Sequence, residues 1–363
     1  MKSPFSYISM KSTGGQLLSV GLSAFYGGMV ALRLAPKMLR HGSAFFAVKD
    51  REGIHRPKVL DAYGTHRSIR LPKTNIKLHY VSAGDESKQL ILFVHGFPEC
   101  WFTWRHQMRA FSSQYHTVAV SMRGYGDSDR PIGVKHYSAD LLYEDLVGVI
   151  SSLVTKENPK CILVSHDWGG VIAWNVAQRR PDLVHRFIAL NAPHPKAWQG
   201  RLATSWRQFR SSWYMFFFNL PLLPELFMRN RDFKVLESMF GKHNKGAGEM
   251  DVYKYYFAKP YGVEGPLNYY RAMLRGYGLR KDGGQENKNG ASSLVEPKTL
   301  ILWGEDDDAL ISELATDSAT FCKDAEVKYL PDCSHWIQVH KPKEVNEAMK
   351  EFLKRLNKDK HNK

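Results

Sequence analysis

Two alternating rhythms of apolar residues run along this chain. Continuous apolar runs at residues 90–94, 117–121, 161–164, 187–190 and 299–303 have the length of strands buried on both faces, and the sheet is expected to resume once more at 327–330. Between them lie helically spaced stretches, among them 139–154, 171–179 and 343–356. Residues 76–82 alternate with period two instead, which predicts an exposed antiparallel strand. Strand alternating with helix predicts an α/β fold with a mostly parallel, doubly wound sheet and right-handed crossovers.

After Pro195 this rhythm breaks. Residues 196–290 are helical in pattern and crowded with Trp, Tyr and Phe, which predicts a helical cap inserted into the sheet domain. Residues 281–293, rich in Gly, Asn and Lys, read as its exit loop. The expected division is therefore a first core part at 75–195, the cap at 196–290 and a second core part at 291–363. Beyond 356 the lysine-rich tail is expected to fray.

The N-terminal region differs from both. Residues 12–32 carry no charge and lie between Lys11 and Arg33, long enough to span a bilayer. Residues 1–40 thus read as a hydrophobic anchor with a basic flank, and 41–74 as a basic tether. The net charge of +15 could suggest a nucleic-acid partner. Residues 1–74, however, hold 12 Lys and Arg against 3 Asp and Glu, so +9 of that charge sits beside the apolar segment. That placement suits a membrane surface, and no nucleic-acid partner is expected. More cations follow the segment than precede it, which favours a cytoplasm-facing catalytic domain on a single-pass anchor, with the endoplasmic reticulum as the expected membrane. Cys100, Cys161, Cys322 and Cys333 are widely spaced, without zinc spacing, and read as free thiols.

Chemistry concentrates where strands end. The run 161–164 leads into Ser165-His166-Asp167-Trp168-Gly169-Gly170, small residues flanking a sharp strand-to-helix turn. Leu163 is too bulky for the flank of a turn centred on Ser165, so Asp167 is the apex. An aspartate there is either an ordinary helix cap or a nucleophile, and the glycines alone leave these even. Two later strand ends tip the balance: Gly304-Glu305-Asp306-Asp307-Asp308, then Pro331-Asp332-Cys333-Ser334-His335-Trp336. Nucleophile, acid, histidine is the chain order of α/β-hydrolases. An Asp nucleophile forms an ester that water can cleave, where a Ser attacking the same sp3 carbon would leave an ether. Arg123 and Asp127, in a glycine-rich turn after 117–121, are candidates for bracing the site.

The combination of His95-Gly96-Phe97-Pro98-Glu99, the Asp167 turn, Trp303-Gly304-Glu305-Asp306-Asp307 and the His335 segment resembles the epoxide hydrolases of the α/β-hydrolase superfamily. The resemblance covers roughly residues 75–357 and is greatest to the membrane-anchored enzymes of animals. It implies that Asp167 attacks an oxirane carbon and that His335 activates water to hydrolyse the ester. Tyr214 and Tyr270 of the cap would protonate the epoxide oxygen, and the N–H groups of Phe97 and Trp168 would form an oxyanion hole. His95, Trp168 and Trp336 would contact substrate. Asp307 is the favoured acid behind His335, with Glu305, Asp306 and Asp308 as alternatives. Lipophilic epoxides such as those of fatty acids, opened to vicinal diols, are the expected substrates. Neither metal nor cofactor is expected, since there is no ligand cluster, Walker motif or dinucleotide-binding glycine run. A haloalkane or haloacid dehalogenase shares the Asp turn and the triad, but Phe97 and two cap tyrosines stand where halide donors would be expected. A non-catalytic membrane protein of this fold is the third reading.

Overall fold

The structure is a computed structural model that describes residues 13–49, 56–240, 248–277 and 294–361; the exit loop expected at 281–293 lies outside these. Its described strands are β1 (Thr65–Arg70), β2 (Lys77–Ala83), β3 (Leu90–Val94), β4 (His116–Ser121), β5 (Cys161–His166), β6 (Val184–Leu190), β7 (Lys298–Gly304) and β8 (Ala325–Leu330). They form one eight-stranded sheet in the order β1-β2-β4-β3-β5-β6-β7-β8. Strands β3 to β8 are parallel, while β1–β2 and β2–β4 are antiparallel. Every residue of β3, β4 and β5 is buried, as continuous apolar runs require when helices cover both faces. Strand order reverses around β3, which pairs with β4 on one side and β5 on the other. At such a switch point the connections leave toward opposite faces and open a crevice at the strands' C-terminal ends.

Two sequence expectations change. The stretch 41–74, expected as an irregular tether, supplies β1, which pairs from Thr65↔Ser82 to Arg70↔Lys77. An edge strand is held by backbone hydrogen bonds and here leaves most side chains half-buried or exposed, so it carries no apolar rhythm to detect. For the same reason β2 is not exposed: β1 covers its outer edge, and its five central residues are buried. The last helix, Pro342–His361, also continues past the expected end at 356.

Between β6 and β7 the cap rises as a set of helices from Pro195–Thr204 to Glu264–Leu274. The long helix Leu223–Phe240 is kinked at Asn230–Phe233, where four residues leave helical geometry. Two ion pairs join cap to core: Arg105, fully buried, with Glu249 at 3.0 Å, and the half-buried pair of Asp127 with Lys259. Tyr256 also donates to Asp127 at 3.1 Å, so Asp127 ties the lid down from outside the catalytic cavity. Arg123 braces the sheet edge instead, forking onto buried Asp145 at 2.7 and 2.8 Å.

The N-terminal helix Thr13–His41 is, among the described residues, the one long and apolar enough to cross a membrane. That is compatible with an anchor. One side packs on the cap, with Tyr26 against Trp213 and Phe216 and Asn219 donating to Ser23 at 3.3 Å. The other side exposes Leu17, Val20, Phe25 and Leu32.

Candidate active site

Strand β5 carries Asp167 at its C-terminal end, and the chain turns at once into the helix Asp167–Arg179. The turn holds Asp167 at φ +48°, a backbone that costs a non-glycine residue about 1–3 kcal/mol. Glycines give it room. A Cβ on Gly169 would lie 2.4 Å from the Val94 carbonyl oxygen, and one on Gly96 would lie 2.4 Å from the Asp167 side chain. Phe97, in the loop after β3, donates its N–H to Asp167 Oδ1 at 2.7 Å. Trp168 is the second residue of the helix, so its N–H is among those with no partner inside the helix.

The loops after β7 and β8 add two groups. His335 Nδ1 lies 2.6 Å from Asp307 Oδ2, and its Nε2 faces Asp167 Oδ2 at 3.6 Å. The Asp307 carboxylate is fully buried, whereas Glu305, Asp306 and Asp308 are exposed. Its Oδ1 accepts the N–H groups of Ala309 and Leu310 at 2.8 and 2.9 Å, and its Oδ2 accepts Asn191 Nδ2 at 2.6 Å. Four donors therefore fix one carboxylate, the pattern that orients a histidine rather than a solvated acid.

Burial alone would raise the Asp167 carboxyl, but His335, His166 and the Phe97 N–H together hold it below its ordinary value. Burial would likewise lower the His335 imidazole, and the charges of Asp307 and Asp167 raise it well above its usual value. The resting site thus sets a charged imidazole between Asp167 and Asp307.

From the cap, Tyr214 and Tyr270 meet edge to face, with ring centroids 5.9 Å apart. Both phenols are raised, first by burial and next by the Asp167 charge, and so keep their protons at neutral pH. Neighbouring Tyr269 turns the other way and donates to the Arg123 carbonyl at 2.7 Å. Two apolar cavities meet at this point. One of about 430 Å3 is lined by Phe97, Trp213, Phe218, His335 and Trp336, and one of about 450 Å3 by Trp168, Val171, Trp198 and Met273. Asp167, Tyr214 and Tyr270 line both.

His95 does not belong to this set. It is buried and lines neither cavity. Its Nδ1 donates to the Gly96 carbonyl at 2.9 Å, and its Nε2 accepts the Met122 N–H at 3.0 Å. Burial lowers it to about 4, which leaves the neutral ring this pattern needs. His95 therefore pins the loop after β3 to the end of β4 and is not a substrate contact.

A second buried layer, without a signal in the sequence, supports these groups. His166 directs Nδ1 at Glu99 Oε2 (2.7 Å) and Nε2 at the backbone carbonyl of His335 (3.0 Å), both being hydrogen-bond acceptors. Glu99 also accepts from Thr103 and from Gln338 at 2.9 Å. This chain clamps the His335 loop to the two strand ends that carry Phe97 and Asp167. Glu99 and His166 sat inside recognised motifs, but nothing in their spacing told of a pair 67 positions apart. Asn191, held at φ +38°, was legible only as a residue at a strand end.

Comparison with known proteins agrees with this geometry. Residues 89–342 match the alpha/beta hydrolase fold family. Over 321 residues the chain is 39% identical to epoxide hydrolase 1 of Caenorhabditis elegans, covering 86% of this chain and 75% of that one. It is 36% identical to human epoxide hydrolase 4, over 83% of this chain and 82% of the relative. Among solved structures, an epoxide hydrolase of Bacillus megaterium superposes with a TM-score of 0.69 at 32% identity, over 79% of this chain and 100% of that one. By fold, by strand-end chemistry and by these similarities, the chain belongs to the epoxide hydrolases of the alpha/beta hydrolase family.

Proposed function

We propose that this epoxide hydrolase opens lipophilic oxiranes to vicinal diols through a covalent ester on Asp167. The observation that carries the reading is the convergence of Asp167, Tyr214, Tyr270 and His335 on one apolar cavity, with Asp307 buried behind the histidine.

With Oδ1 held by the Phe97 N–H, Oδ2 attacks an oxirane carbon. The ring C–O bond breaks, and its oxygen takes a proton from Tyr214 or Tyr270, since an alkoxide leaves poorly at neutral pH. Esterification removes the Asp167 charge, one of the two that hold His335 protonated. The imidazole then gives up its proton, which resets the phenol, and takes another from water. That water attacks the ester carbonyl, whose oxygen draws on the N–H groups of Phe97 and Trp168; such donors are each worth about 10²–10³ in rate. Collapse releases the diol and returns the carboxylate, so the sum is epoxide plus water to diol.

Single turnover in oxygen-18 water tests this directly. The reading expects the label on Asp167 and an unlabelled diol; a labelled diol with unlabelled Asp167 would reject the ester. The dehalogenase alternative is checked with 1-bromobutane, where bromide release without epoxide hydrolysis would reverse the assignment.

We further propose a single-pass anchor at Thr13–His41, in the endoplasmic reticulum, with the hydrolase facing the cytoplasm. The uncharged stretch and the cations that follow it support this. Resistance to carbonate extraction, together with protease protection of an N-terminal tag in microsomes, is the expected result. An accessible tag on a chain that resists extraction would reverse the orientation, and release of the chain by carbonate would mean that the helix lies on the surface beside the cap.

A further inference from the structure

We propose that Lys196 forms an anion subsite in the second cavity, which takes the carboxylate of a long-chain fatty-acid epoxide and sets the direction in which the chain threads the site. The inference rests on the hydrolase reading of Asp167 and names the pole of its substrate.

The two cavities are of similar size and share Asp167, Tyr214 and Tyr270, so a chain that occupies both brings a mid-chain oxirane to the nucleophile. Away from that shared centre their charges differ in sign. The first cavity is lined by Asp306 and Asp308, both exposed, which repel a carboxylate. The second has Lys196 as its cation, among apolar walls that include Val171, Trp198 and Met273. Lys196 is exposed and has no ion-pair partner among the described residues, whereas Arg201 of the same helix is paired with Asp317. A cation bordering an apolar channel and left without a protein anion suits an amphiphile with a single charged end. The carboxylate then sits by Lys196, and the methyl end runs toward Trp213, Phe227 and Trp336. With the chain held in one direction, Asp167 meets the two oxirane carbons unequally.

The test uses the full chain with cis-9,10-epoxyoctadecanoic acid and its methyl ester, each below its critical micelle concentration. The expected wild-type preference for the acid in kcat/KM is about fivefold, the size of one exposed ion pair, and is carried by KM. In Lys196→Gln the acid-to-ester ratio falls to about one, and in Lys196→Glu it drops below one. Because the ratio is taken within each protein, a general defect of a variant cancels. Multiple turnovers of the acid in oxygen-18 water should label one diol carbon predominantly in the wild type, and Lys196→Gln should shift that distribution to the one seen with the ester. An unchanged ratio in Lys196→Gln, with turnover intact, overturns the subsite and leaves the hydrolase reading standing. If wild-type protein turns over neither acid, ester nor neutral stilbene oxide, the hydrolase reading itself fails and the subsite with it.

Discussion

Asp307 Oδ2 lies 2.6 Å from Nδ1 of His335 and receives the Asn191 amide at the same distance. An acid so held orients the imidazole and stabilises its charge, and it meets neither cavity itself. Asp307→Asn should therefore spare alkylation and slow ester hydrolysis by roughly 10³–10⁴-fold, the scale of the Asp-to-Asn change in a triad. Intact-protein mass after mixing with epoxide should show an accumulating adduct. Asp306→Asn and Asp308→Asn should show none, because those side chains are exposed.

The tyrosines act on the other half-reaction. Tyr270→Phe and Tyr214→Phe should each slow alkylation, by up to about 10²-fold if one phenol can substitute for the other. The double variant should show no adduct at all. An adduct forming at the wild-type rate in the double variant would place the acid elsewhere.

The two half-reactions should part company with pH. His335 is raised in the resting enzyme, and the ester removes one of the charges responsible, yet hydrolysis still requires the neutral ring. Hydrolysis should therefore weaken as pH falls through the imidazole titration. Alkylation needs the Asp167 carboxylate, which is held below its ordinary value and survives to lower pH. Mild acidification should make the ester accumulate. Alkylation should also persist beyond the ordinary phenol value of 10.0, since both tyrosines are raised. Rapid-mixing measurement of each step checks this, and coincident acid limbs would contradict it.

Glu99 and His166 are both fully buried, so removing Glu99 leaves Nδ1 of His166 without its acceptor in the core. Glu99→Ala should cost about 3–5 kcal/mol of stability. Urea unfolding measures it, and a loss below about 1 kcal/mol would mean that water replaces the carboxylate without penalty.

Much of this molecule is legible in the chain itself. Continuous apolar runs mark β3, β5 and β7, because a strand covered on both faces must be apolar at every position. The turn at Asp167 is legible because its geometry excludes a bulky neighbour, as Gly96 and Gly169 confirm against the Asp167 side chain and Val94. The order of Asp167, the acid cluster and His335 is a local property of three strand ends, and order survives in sequence. β1 could not be read this way, since an edge strand relies on backbone pairing that leaves no side-chain rhythm.

Only the tertiary structure decided among near-identical neighbours. Asp307 differs from Asp306 and Asp308 by burial and by the donors that surround it, and Tyr270 from Tyr269 by which way the ring turns. His95 looks like a site residue in its motif, yet the packing of β3 on β4 makes it a pin. The His166–Glu99 clamp and the meeting of the two cavities join residues far apart in the chain. Local sequence fixes which groups stand at the strand ends. Burial, donor count and distance belong to the folded arrangement, and those quantities assign each group its task.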